Sequence, residues 1–143
     1  MNRRLTSWAI RDGGHDDLEA LLSLWRLSES LPTVTDSVES LSRLLAFDPQ
    51  AILVADTQGE VVGSLICAWN GWRGSFYRLA VAPPYRRRGL ASALVREGEK
   101  RLRERRAVRL DAIVATDEIH AQRFWTAAGY ERQGNRSRFV RYC

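Results

Sequence analysis

Between Tyr77 and Val95 the chain reads YRLAVAPPYRRRGLASALV, and here it gathers the residues best suited to holding a phosphate group. Arg86, Arg87 and Arg88 run into Gly89, and Leu90, Leu94 and Val95 then fall toward one side of a predicted helix. Ahead of them Tyr77, Leu79 and Val81 alternate as a strand does, and Pro83-Pro84 stops it. The first-turn N–H groups of such a helix have no intrahelical acceptor, and its macrodipole favours negative charge at that end. Gly89 lets the backbone approach a ligand where a Cβ would stand in the way. No Gly-Lys-Ser/Thr follows, so this is not a Walker A loop, and the Gly-x-Gly-x-x-Gly dinucleotide pattern is absent.

Other side chains could carry acid–base work. Asp111 stands on a predicted strand, where a carboxylate is rarely buried without a partner. If it faces a cleft it can act as a base or read an acceptor; if it faces a helix, Arg109 or a backbone donor satisfies it. His120 has a suitable intrinsic pKa but reads as a surface residue beside a helix start. Cys67 lies in an apolar run with no paired histidine, which argues against a nucleophile. The two cysteines and two histidines form neither a disulfide framework nor a metal motif, and both thiols are expected reduced.

These residues need a scaffold. Trp8 and Ile10, with Thr6, suggest a first strand, ended by Gly13-Gly14. Asp16 and Glu19 resemble a capping box, followed by Leu18, Leu21, Leu22 and Trp25 at helical spacing to about Ser28. A loop with Pro32 leads to a second helix with Asp36 in the N-cap position and Val38, Leu41, Leu44 and Leu45 as its stripe, stopped at Asp48-Pro49. Residues 51–56 and 61–69 read as an antiparallel hairpin, and a turn at 70–74 leads into 76–81. The helix after Gly89 should run to about Arg103, with Gly98 packed closely on a sheet. Val108 to Val114 then alternates as a strand, which makes a right-handed crossover and a parallel pair. A short helix at 119–128 ends at Gly129, and 137–142 (SRFVRY) alternates as a last strand.

The chain has 143 residues, 45% hydrophobic and 27% charged, which fits one soluble globular domain spanning 1–143. No run is long enough to span a membrane, and MNRRLTSWAIRD lacks the apolar stretch of a signal peptide, so a cytoplasmic protein is expected. The net charge of +5 owes much to the loop arginines and to Lys100, Arg101, Arg103, Arg105, Arg106 and Arg109. That second cluster reads as a solvated helix face near a C-terminus. No nucleic-acid motif supports the other reading, a phosphate-backbone surface.

The loop and its setting, Val81-Ala82-Pro83 followed by Arg86-x-x-Gly89-x-Ala91, resemble the acyl-CoA pyrophosphate loop of the GCN5-related N-acetyltransferase (GNAT) family. A second segment, Ala121-x-x-Phe124-Trp125-x-x-x-Gly129-Tyr130, begins 32 residues after Gly89 and is similar to a further segment of that family. The resemblance covers roughly Ile52 to Tyr142. It implies the acyl-CoA N-acyltransferase fold, an α/β (α+β) architecture. Its mixed, mostly antiparallel sheet of six to seven strands is flanked by about four helices, and a parallel strand pair opens the cofactor cleft.

The function implied is transfer of an acetyl group from acetyl-CoA directly to a primary amine of a small molecule or peptide. The backbone of Leu79, Ala80 and Val81 would meet the pantetheine and the thioester carbonyl. Arg86, Arg87, Arg88, Gly89, Leu90, Ala91 and Ser92 would hold the pyrophosphate, and Glu118, Ala121, Phe124 and Trp125 the rest of the coenzyme. The helix pair before Pro49 would wall the acceptor pocket, which places Glu29 and Asp36 as acidic acceptor readers beside their plainer readings as a loop residue and a helix cap. Glu29, Asp36, Asp111 and Asp117 are the candidate bases. Two departures matter: Glu118 stands where the family often has Asn, and Trp125 where it often has the Tyr that protonates the departing thiolate. An indole is no acid at neutral pH, so protonation falls to Tyr130, Tyr142 or water, or the chain is a non-catalytic acyl-CoA-binding module. Family habit also suggests a homodimer.

Overall fold

Five strands form one sheet in the order β1-β2-β3-β4-β5: β1 Ala9–Asp12, β2 Ile52–Thr57, β3 Glu60–Trp69, β4 Gly74–Val81 and β5 Leu110–Ala112. The first four pair antiparallel, and β5 lies parallel to β4. The computed structural model describes residues 7–28 and 32–143; Thr6 and Glu29, both given roles above, lie outside them. The β2–β3 turn uses Gln58 and Gly59, both at positive φ (52° and 85°), the pair of conformations that a two-residue hairpin with native twist requires.

Side-chain alternation along β2 and β3 sorts the core into two layers. On one face α1 (Leu18–Leu27) and α2 (Val38–Phe47) set Leu21, Trp25, Leu41 and Leu45 against Ile52, Val54 and Ile66. On the other lies α3 (Leu90–Glu104), whose Gly98 sits so near the sheet that an added Cβ would lie 2.8 Å from both Cys67 Sγ and Phe76 Cε1. Close packing at Gly98 is thus what the structure shows.

Two local expectations change. The N-cap of α2 is Ser37, whose Oγ accepts from the Ser40 N–H at 3.1 Å, and Asp36 is otherwise engaged. At the start of α1 the carboxylate that accepts a backbone N–H is Asp17, bonded to Gly14 N at 2.8 Å, ahead of which a turn of 3₁₀ helix replaces the expected Asp16 cap.

The described residues up to Ala112 form one compact unit, and Ile113–Cys143 form a second. The second holds α4 (Ile119–Ala127), closed by Gly129 at φ 97° with its N–H on Thr126 O and the Tyr130 N–H on Trp125 O. The sheet has five strands among the described residues, not six to seven, because residues 137–142 pair with no strand. The residues of SRFVRY alternate, but Phe139 is 95% exposed and no strand is formed there. No helix among the described residues is long and apolar enough to cross a membrane.

Candidate active site

The β4–β5 ladder consists of Gly74–Leu110, Ser75–Asp111 and Phe76–Ala112 and stops there. Beyond Phe76, β4 has β3 on one side and no strand on the other among the described residues. Backbone groups of Tyr77–Val81 on that side are therefore not committed to a ladder. The chain then makes a 3₁₀ turn at Pro83–Tyr85 with Tyr85 buried as its anchor, and the exposed run 86–89 follows. Arg86 Nε donates to Val81 O at 3.2 Å, tying the loop to the strand end. Arg87 (φ 60°) and Gly89 (φ 84°) are left-handed, and this reversal delivers the chain into α3 at Leu90. The first intrahelical donor is Ala93, on Gly89 O at 3.0 Å, so the N–H groups of Leu90, Ala91 and Ser92 point out of the helix end. A Cβ built on Gly89 meets nothing within 4 Å. Open space, outward N–H groups and three exposed guanidiniums fit a diphosphate.

One residue on β4 breaks the pattern. Tyr77 pairs with Ile66 and Ala80 with Ser64, so Arg78 and Leu79 together stand opposite Leu65: a bulge. Arg78 takes φ 53°, a conformation that costs an L-residue about 1–2 kcal/mol. Its carbonyl accepts from Ser64 Oγ at 2.8 Å, and Ser64 Oγ accepts from Trp25 Nε1 at 2.9 Å. Its guanidinium lies 5.3 Å from the Trp25 ring centroid and donates to both carboxylate oxygens of Asp36, from Nε to Oδ1 at 3.1 Å and from Nη2 to Oδ2. The two side chains are only 16% and 14% exposed. Charge-assisted bonds of about 1.5–3 kcal/mol each outweigh the backbone cost. Nothing in the sequence pattern assigns Arg78 a role. The available signal was a cation inside an otherwise apolar strand run.

In the second unit Phe124, Trp125 and Tyr130 stack edge to face, with centroids 5.4 Å and 4.9 Å apart. Trp125 is buried, Phe124, Ala121 and Tyr130 are half-buried, and Glu118 is exposed. The Glu118 carbonyl accepts from Gln122 N at 3.0 Å at the start of α4, and the Gln122 side chain donates to the carbonyls of Ala115 and Thr116.

A family model described as "Acetyltransferase (GNAT) family" matches residues 18–130. The chain belongs to the GNAT acetyltransferase family. It is similar to Acetyltransferase SG1711 of Sodalis glossinidius (strain morsitans), at 37% identity over 124 residues that cover 87% of each chain. Its fold is shared with Ard1 from Thermoplasma volcanium, at a TM-score of 0.80 and 23% identity, covering 89% of this chain and 84% of that one. It is shared too with AAC(6')-Iy in complex with a bisubstrate analogue, CoA-S-monomethyl-acetylneamine, at a TM-score of 0.75 and 17% identity over 96% of this chain and 99% of that one. The acetyltransferase is thus an enzyme that moves an acetyl group from acetyl-CoA to an amine.

The carboxylates of this acetyltransferase are less free than the sequence suggests. Asp36 is clasped by Arg78 and also accepts from Thr33 N at 3.0 Å, so it is neither a helix cap nor an open cation reader. Asp111 accepts from Arg109 Nη1 at 3.2 Å. It sits opposite Ser75, which faces Ala68 on β3, while Leu79 stands opposite Leu65; three ladder steps of ~3.3 Å separate it from the first of the donors of Leu79–Val81 by about 10 Å along β4. The structure therefore does not bring Asp111 and those donors together. Part of the second basic cluster is also internal: Arg101 bonds Asp12 and Glu97, and Arg105 bonds Asp48.

Proposed function

We propose that the acceptor is a primary amine on a small molecule or peptide, and that β4, the following loop and the start of α3 form the coenzyme side of the site. The observation that carries this reading is the arrangement at Gly89: a left-handed glycine with open space before it, beside outward N–H groups and exposed arginines. When bound, acetyl-CoA supplies the thioester acetyl group that the amine attacks. Leu90, Ala91 and Ser92 offer backbone donors to the diphosphate, and Arg86, Arg87 and Arg88 add positive charge. Leu79 and Val81, on either side of the ladder-facing Ala80, offer backbone donors to the pantetheine and the thioester carbonyl, where they stabilise negative charge as it develops on oxygen. Holding both reactants in line contributes the rest.

Glu118, Ala121, Phe124 and Trp125 complete the coenzyme contacts in this reading, on the strength of the second motif. With an indole at the position where the family often has a phenol, Tyr130 takes the part of proton donor to the departing thiolate. Its support is a half-buried phenol ring packed on Trp125. A thiol pKa of about 8.5 makes the thiolate a fair leaving group unaided. Tyr130→Phe should therefore lower kcat by about 10²-fold or less and leave coenzyme affinity unchanged. Glu29 keeps the role of amine-proton acceptor, and Glu29→Gln should lower kcat/KM and move its pH dependence upward.

The family match at 18–130 runs across both compact units, which supports one acetyltransferase domain over 1–143. A homodimer and a cytoplasmic location complete the reading. The first draws support from β1 and β5, the edge strands of the sheet among the described residues, and sedimentation would test it. The function itself is tested by release of free CoA thiol from acetyl-CoA over a panel of small amines and peptide amines. Amine-dependent release by at least one acceptor is expected, and no release above slow hydrolysis across a broad panel would contradict it.

A further inference from the structure

We propose that Arg78 is a positioning residue for acetyl transfer, locked in the β4 bulge by Asp36, Ser64 and Trp25 so that the backbone donors just beyond it stay aimed at the thioester carbonyl. This rests on the reading of Leu79 and Val81 as those donors. The bulge decides which way they point. Before it, Phe76 pairs with Cys67, on the α3 face of the sheet; after it, Ala80 pairs with Ser64, whose side chain meets Trp25 on the opposite face. Residues 76 and 80 have the same parity, so an unbulged strand would put both on one face. The Ala82 N–H donates to Val62 O, so Ala80, two residues earlier, also turns its N–H to β3, while Leu79 and Val81 turn theirs to the open side. Relaxing Arg78 to an extended conformation would slip the register by one residue and turn those two N–H groups toward β3.

The left-handed φ of 53° at Arg78 persists because both of its ends are held. Ser64 Oγ fixes the carbonyl, and the carboxylate of Asp36 fixes the guanidinium. Asp36 also accepts from Thr33 N and so shapes the turn that leads into α2. One carboxylate therefore ties the connection into α2 to the bulge in β4. The match is that of a planar fork to a carboxylate, which lysine keeps in charge and loses in geometry. Asparagine in place of Asp36 keeps the shape and loses the charge.

The test is difference infrared spectroscopy of acetyl-CoA carrying ¹³C at the thioester carbonyl, bound to the full chain and to the Arg78→Lys and Asp36→Asn variants. Titration with CoA itself is run in parallel. Hydrogen bonding to a carbonyl lowers its stretching frequency. The expected result is a band displaced to low frequency in the natural enzyme and shifted back toward the free thioester in both variants, with CoA affinity unchanged because residues 86–92 are intact. Thermal unfolding identifies the folded fraction, so a loss of stability alone does not count as the effect. If either folded variant keeps the natural enzyme's band, Arg78 is only structural and the proposal is overturned. If the natural enzyme binds acetyl-CoA with an undisplaced band, the reading of Leu79 and Val81 as donors fails, and the inference falls with it.

Discussion

Burial pushes the Cys67 thiol up to about 12, while Cys143 is exposed at the last position. A thiol that stays protonated inside the sheet is no nucleophile. At pH 8 a thiol-specific disulfide reagent should label one cysteine per folded chain rapidly and the second only after unfolding; two fast thiols would contradict this packing. Asp48 is the opposite case. Two bonds from Arg105, at 2.7 and 2.9 Å, hold its carboxyl below the usual range although burial opposes them. A folded pKa below the unfolded one means that the pair's stability is present above the unfolded value and is lost as pH falls through the folded one. Asp48→Asn should cost about 2 kcal/mol at pH 7, and the gap to the natural protein should narrow as pH drops below about 4. Urea unfolding at several pH values measures both; a gap that does not change with pH would mean that the pair contributes no charge-dependent stability.

Elements with a single period were legible in the sequence. The helix expected from Gly89 to about Arg103 is Leu90–Glu104, and the short helix at 119–128 is Ile119–Ala127. The glycine expected to pack closely does so: at Gly98 a Cβ would press on Cys67 and Phe76. Gly98→Ala should therefore destabilise by about 1–2 kcal/mol despite the gain in helix propensity. A rise in the urea midpoint would show that the sheet yields there. Where the period breaks, the sequence misled. The bulge at Arg78 shifts alternation by one residue, and only the paired strand β3 reveals it. The alternation in 137–142 is as regular as that of a strand, yet a strand needs a neighbour, and none pairs with it among the described residues. Asp36 and Ser37 are both good N-caps; a cation 42 residues away drew Asp36 out of that role and left it to Ser37.

At the scale of the whole chain, a net charge of +5 says little until its arginines are sorted by partner. Arg11, Arg78, Arg101, Arg105 and Arg109 each meet a carboxylate of this chain, whereas Arg86, Arg87 and Arg88 stand exposed beside the open end of α3. The sequence shows where the cations fall along the chain, and the structure shows which of them are already engaged. The loop before α3 is proposed to bind the diphosphate of acetyl-CoA. Calorimetric titration of the purified chain and of Gly89→Asp with acetyl-CoA tests this. Aspartate there would set a carboxylate against the phosphates at a position whose φ of 84° favours glycine. Stoichiometric binding by the natural chain and a loss of about 10²-fold or more in a still-folded variant are expected. Equal affinity in the two proteins would place the coenzyme elsewhere and contradict it.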